Sequence, residues 1–90
     1  MITATEQATI DDRAKGIGLM VGIPNELYMW TVSRYSTLYM EYINGEWIAW
    51  RETYRDDYST CTNHKHIARS HDFGTTLHNV RRYIRYVKQH

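Results

Sequence analysis

Ninety residues, 42% apolar and 23% charged, suffice for one small globular domain and are too apolar for a disordered chain. A single cysteine, Cys61, excludes an intramolecular disulfide framework, so packing alone must hold the fold, as suits a reducing cytoplasmic setting. The formal charge of +1 hides an asymmetry: residues 1–57 hold nine acids and five bases, net −4, whereas residues 58–90 hold one acid and six bases, net +5.

In chain order, Thr3-Ala4-Thr5-Glu6 reads as a capping box for a short helix from about Thr5 to Lys15, ending at Gly16. Gly16 to Pro24 reads as a glycine-punctuated connector. Its apolar run is too short to span a bilayer and lacks the flanks of a secretory signal, so no membrane contact is expected. Leu27 to Tyr35 alternates like a strand. Leu38 to Ile43 and Glu46 to Arg51 alternate on either side of Asn44-Gly45, the pair that a type I′ hairpin turn requires.

A two-residue loop fixes register: Ile43 faces Glu46, Tyr42 faces Trp47, Glu41 faces Ile48, Met40 faces Ala49 and Tyr39 faces Trp50. Opposed residues share a face, so Leu38, Met40, Tyr42, Trp47 and Ala49 form the predicted core face. The other face holds Tyr39, Ile48 and Trp50, with Tyr54 further along, beside Glu41. The N-terminal helix or the connector is the simplest cover for it.

Asp56 to Ser59 reads as a loop. His64 to Ser70 reads as an edge strand with Ile67 inward and Lys65 and Arg69 blunting the edge. Thr75 is the predicted N-cap of a C-terminal helix over 75–88, whose Leu77, Val80, Ile84 and Val87 recur at helical spacing. The expectation is one domain over 1–90 of the α+β class: helix and connector over 1–24, a three- to four-stranded antiparallel sheet over 27–70, then the helix.

Two surfaces carry functional interest. The helix bears His78, Arg81, Arg82, Arg85 and Lys88 and no acid, with Tyr83 and Tyr86 interleaved. Such a face can hold phosphates and stack on bases, or seat in an acidic protein groove; a solvated helix face is the plain alternative. The aromatic face, Tyr39, Ile48, Trp50 and Tyr54, would suit a protein partner or a homodimer if uncovered. Cys61, His64, His66 and His71 lie close in sequence but fit no structural-zinc spacing, and no nucleophile–base pair or phosphate loop stands out. No metal, cofactor or catalytic residue is expected.

Three strands followed by Asp72-Phe73-Gly74-Thr75 and a helix, about Trp47 to Tyr86, resemble the DNA-binding domains of plant ethylene-response factors and the arm-binding domains of tyrosine integrases. That resemblance implies a sheet reading the DNA major groove. No residue role is carried over, because Glu41 and Glu52 flank Arg51 where those domains are basic.

The function expected is that of a non-enzymatic binding protein occupying a surface on a larger protein, in the manner of a phage or mobile-element accessory protein or inhibitor. Nucleic-acid binding through the basic helix is the rival. A positive stripe joining the helix to Lys65 and Arg69 would favour nucleic acid, and an uncovered Tyr/Trp patch would favour protein.

Overall fold

A computed structural model describes residues 9–55 and 61–89. Its elements are α1 (Ile10–Gly16), β1 (Met20–Ile23), β2 (Leu27–Ser33), β3 (Ser36–Ile43), β4 (Glu46–Tyr54), β5 (Cys61–Ser70) and α2 (Phe73–Gln89). The strands form one antiparallel sheet in chain order, β1-β2-β3-β4-β5. The fold is α+β as expected, with five strands in place of three or four.

The extra strand lies in the segment expected to be a connector. Residues 20–23 pair with β2, Met20 opposite Met29 and Val21 opposite Tyr28, with an irregularity before Ile23. Gly22 disguised the strand, and the packing shows why it stands there. A Cβ at this position would sit 3.2 Å from side-chain carbons of both Leu27 and Met29, which fill the space it leaves.

The hairpin follows its turn. Asn44 and Gly45 have φ of 51° and 82°, and the pairs from Ile43–Glu46 to Tyr39–Trp50 have the register that a two-residue loop dictates. Leu38, Met40, Trp47 and Ala49 are buried on one face, whereas Tyr42, at its rim, keeps 45% of its surface exposed. The predicted strand over 27–35 stops at Ser33, where Arg34 and Tyr35 turn the chain into β3. At the edge, β5 begins at Cys61, and a bulge opposite Ala49 and Trp50 leaves both Ile67 and Ala68 packed on the core side.

Helix α2 covers β4 and β5, burying Leu77, Val80 and Ile84 of the predicted stripe together with Phe73 and Thr76, whereas Val87, the last of the stripe, is only half-buried. It begins earlier than expected. Asp72, not Thr75, is its cap: the Asp72 carboxylate accepts from the Thr75 N–H at 2.8 Å and from the Thr75 hydroxyl at 2.9 Å. A carboxylate at this place answers both the orphan N–H groups and the helix dipole, which a hydroxyl cannot do as well. Thr76 then donates to the Trp47 carbonyl at 3.3 Å, and Arg51 bridges the Ser36 hydroxyl at 2.5 Å and the Tyr83 hydroxyl at 2.9 Å.

Helix α1 lies on the same face. Thr9 is its N-cap, accepting from the Asp12 N–H at 3.1 Å, with Asp11 and Asp12 in its first turn and Arg13 and Lys15 in its last. The capping box at Thr3–Glu6 falls outside the described residues. Ala14 is fully buried, and the Arg13 guanidinium lies 5.1 Å from the centre of the Phe73 ring.

The pin between α1 and the sheet is Asp11. Its Oδ1 accepts from the buried Tyr28 hydroxyl at 2.5 Å and from the Asn25 N–H at 2.8 Å. These donors hold the Asp11 carboxyl below its usual range, while burial and the adjacent carboxylate push the Tyr28 phenol up. Donors to Asp72 and the Arg69 guanidinium beside Glu46 depress those two carboxyls likewise. A carboxyl lowered by folding stabilises the native state above its unfolded pKa, and that contribution is lost as the pH falls through the folded value. The urea midpoint should therefore drop between about pH 5 and about pH 3, and Asp11→Asn should make that drop shallower. Tyr28→Phe should cost about 1–2 kcal/mol at neutral pH, read from urea denaturation.

Candidate functional site

With both helices on one side, the opposite side of the sheet is uncovered among the described residues. From the sequence, cover by α1 or the connector and an open aromatic patch are even alternatives. The connector instead lengthens the sheet as β1, and α1 packs with Phe73 on the far side. Edge addition therefore enlarges the open face rather than hiding it, contributing Met20, which is 54% exposed, beside Met29.

The register brings the sequence-predicted aromatic residues together here. Tyr39 and Trp50 are directly opposed, their rings stacked with centroids 5.5 Å apart at 26°. Ile48 precedes Trp50 on the same face of β4, and Tyr54 follows two same-face positions further along the strand. The edge of the Trp50 ring meets His64 with centroids 6.2 Å apart. A shallow depression of about 350 Å3 follows, lined by Ile43, Ile48, Trp50, Glu52, His64 and His66.

Four of those six residues were not named as site residues from the sequence. Glu52 and His64 are register partners, as are Trp50 and His66. Alternation along β5 does place His64 and His66 on one face. Which β4 residues they meet depends on a connection that is not a two-residue turn, so the sequence offers no register for it.

Electrostatically the open face is acidic. Arg69 ion-pairs with Glu46 on this side, which leaves Glu41 and Glu52 as its uncompensated charges among the described residues. Glu52 accepts from the Tyr54 hydroxyl, and that bond, with some desolvation, pushes the Tyr54 phenol well up. The ring of Tyr54 is thus fixed against a carboxylate, and Tyr39, Trp50 and Tyr54 form a preorganised patch of rings.

The basic residues lie elsewhere. His78, Arg81, Arg82, Arg85 and Lys88 are all exposed on α2, away from the open face. His78 lines neither of the two clefts that flank the helix, and the other four divide between them. Arg81, Arg85 and Lys88 face Lys15 and the Gly16–Gly18 turn across one flank, and Arg82 faces Lys65, Tyr83 and Tyr86 across the other. Lys65 adjoins the helix, its ammonium 5.4 Å from the Tyr83 ring centre, whereas Arg69 is held on the opposite face by Glu46. The stripe envisaged from α2 to both residues is interrupted.

Among the described residues no group of three or more His, Cys, Asp or Glu side chains is arranged to hold a metal ion. Cys61 is exposed with its Sγ 3.3 Å from the Asn63 carbonyl oxygen, and His71 Nδ1 lies 3.2 Å from the Gly45 carbonyl oxygen. No described helix is long and apolar enough to cross a membrane. Compared with protein-family models, curated proteins and solved structures, the chain matches none.

The two faces differ in what they contribute to stability. Leu38→Ala, on the covered face, should cost about 2–5 kcal/mol. Ile48→Ala, on the open face, should cost about 1 kcal/mol or less, because little packing is lost there. Urea denaturation of both variants checks the contrast, and equal costs would mean that something covers the open face.

Proposed function

We propose that this chain is a non-enzymatic binding protein that docks on a larger protein through the open face of its sheet. The observation that carries the reading is the preorganised ring patch of Tyr39, Trp50 and Tyr54, with Ile48, on a face that no described element covers. Rings held in place by stacking and hydrogen bonding lose little rotamer freedom on docking, which is the property of interface anchors.

The depression beside Trp50 accepts an apolar side chain, while Glu41 and Glu52 favour a partner with arginine or lysine at the matching rim. The mechanism is steric: the bound chain covers a site on its partner. A single small unit of this kind suits an accessory or inhibitory protein of the sort encoded by phages and other mobile elements, acting in the cytoplasm. A second copy of the chain is the other protein partner that the face could take.

Affinity capture with the wild-type chain, paired with Trp50→Ala and Ile48→Asp, tests the reading. One protein should be retained by the wild type and lost from both variants. With that partner purified, Trp50→Ala should weaken binding by tenfold or more, roughly 2 kcal/mol. Equal retention by all three baits would sink the assignment to this face. Light scattering on the isolated chain separates self-association: a dimer that Trp50→Ala dissociates would make the partner a second copy.

A further inference from the structure

The cleft between α1 and α2 brings together cations that the sequence keeps far apart. Lys15, in the last turn of α1, faces Arg81, Arg85 and Lys88 across a space of about 450 Å3 floored by the Gly16–Gly18 turn and Ile84. Residues 81, 85 and 88 share one flank of α2 because their spacings are four and three. All four cations are exposed, no acid lines the cleft, and none of the four is in an ion pair among the described residues. Asp11, one turn back on α1, accepts its hydrogen bonds from Tyr28 and Asn25 and offers Lys15 only a weaker electrostatic attraction.

Helix dipoles account for part of this arrangement only. Lys88 lies in the last turn of α2 and Lys15 in the last turn of α1, where positive charge is favoured. Arg81 and Arg85 lie further from the helix end, beyond the reach of that effect. Like charges gathered from two elements repel one another, and a bound anion relieves the repulsion. Guanidinium forks beside a compact ammonium are the groups that grip phosphate oxygens.

The crest and far flank of α2 narrow the ligand further. Arg82 continues the positive surface over the helix to a second depression, where Lys65, Tyr83 and Tyr86 lie, and Tyr86 keeps 57% of its surface exposed. Phosphates alone need no rings. A strand whose phosphates follow the cations and whose unpaired bases reach Tyr86 uses both clefts. We infer that the α2 side of the molecule binds the backbone of a single-stranded nucleic acid, with Lys15, Arg81, Arg85 and Lys88 as its phosphate contacts and Tyr86 as a stacking platform. This site lies opposite the proposed protein-docking face and does not depend on it.

Fluorescence anisotropy of labelled oligo-dT and oligo-rU, about twelve nucleotides long, tests the inference on the full chain. Four phosphate contacts predict affinity roughly 50-fold weaker at about 200 mM than at about 50 mM salt. Lys15→Ala/Arg85→Ala should weaken low-salt binding about tenfold and roughly halve the salt slope. Tyr86→Ala should weaken binding about tenfold with the slope unchanged. Trp50→Ala should have no effect, which separates this site from the open face.

Far-UV circular dichroism of each variant confirms that the exposed substitutions leave the fold intact. Absence of binding at the lower salt overturns the inference, as does insensitivity to Lys15→Ala/Arg85→Ala. Competition by polyglutamate or by phosphatidylglycerol vesicles as effective as that by unlabelled oligonucleotide also overturns it. That result would show a surface answering to negative charge alone.

Discussion

Two backbone angles govern the rest of this molecule. With φ positive at both Asn44 and Gly45, β3 and β4 are joined by the shortest turn whose twist matches that of the strands, and no other register is compatible with it. From that register follows the division of side chains: Leu38, Met40, Trp47 and Ala49 to the helices, Tyr39, Ile48 and Trp50 to the other side. A slip of one residue would turn one strand over relative to the other, putting Ile48 and Trp50 on the face of Leu38 and Met40, under α2. The neighbouring strands inherit the arrangement, and the aromatic face exists because the turn admits no alternative.

How much of this was legible depended on how local the determinant was. The hairpin, its register and the inward stripe of α2 are set by residues within a few positions of one another, and they could be deduced from the sequence. Strand β1 could not. Its alternation is broken by Gly22, which belongs there because Leu27 and Met29 occupy the place of its side chain, a fact about tertiary packing. The start of α2 was displaced for a different reason: Asp72 and Thr75 are both good caps, and only the geometry shows that the carboxylate accepts while the threonine donates.

The candidate surfaces divide in the same way. Tyr39, Ile48 and Trp50 are gathered by the hairpin alone, so their proximity was deducible. His64, His66 and Glu52 meet through the β4–β5 pairing, and Lys15 meets Arg85 through the packing of the two helices, neither of which any local spacing encodes. The basic helix and the acidic aromatic sheet consequently lie back to back. A near-neutral whole is in fact two surfaces of opposite character separated by one layer of core.

Because strand order repeats chain order, each ladder closes over a neighbouring segment, and the entropy of closing those loops is small compared with that of a sheet built by crossovers. The contact of Arg13 with Phe73 is of another kind, since it unites the first and last described elements across a separation of sixty positions. The sheet can zip hairpin by hairpin, whereas the α1–α2 cleft exists only once both ends of the chain have docked. Lys15 therefore joins the three cations of α2 only in the finished fold, and the complete cluster is absent from any form in which the two helices have not met.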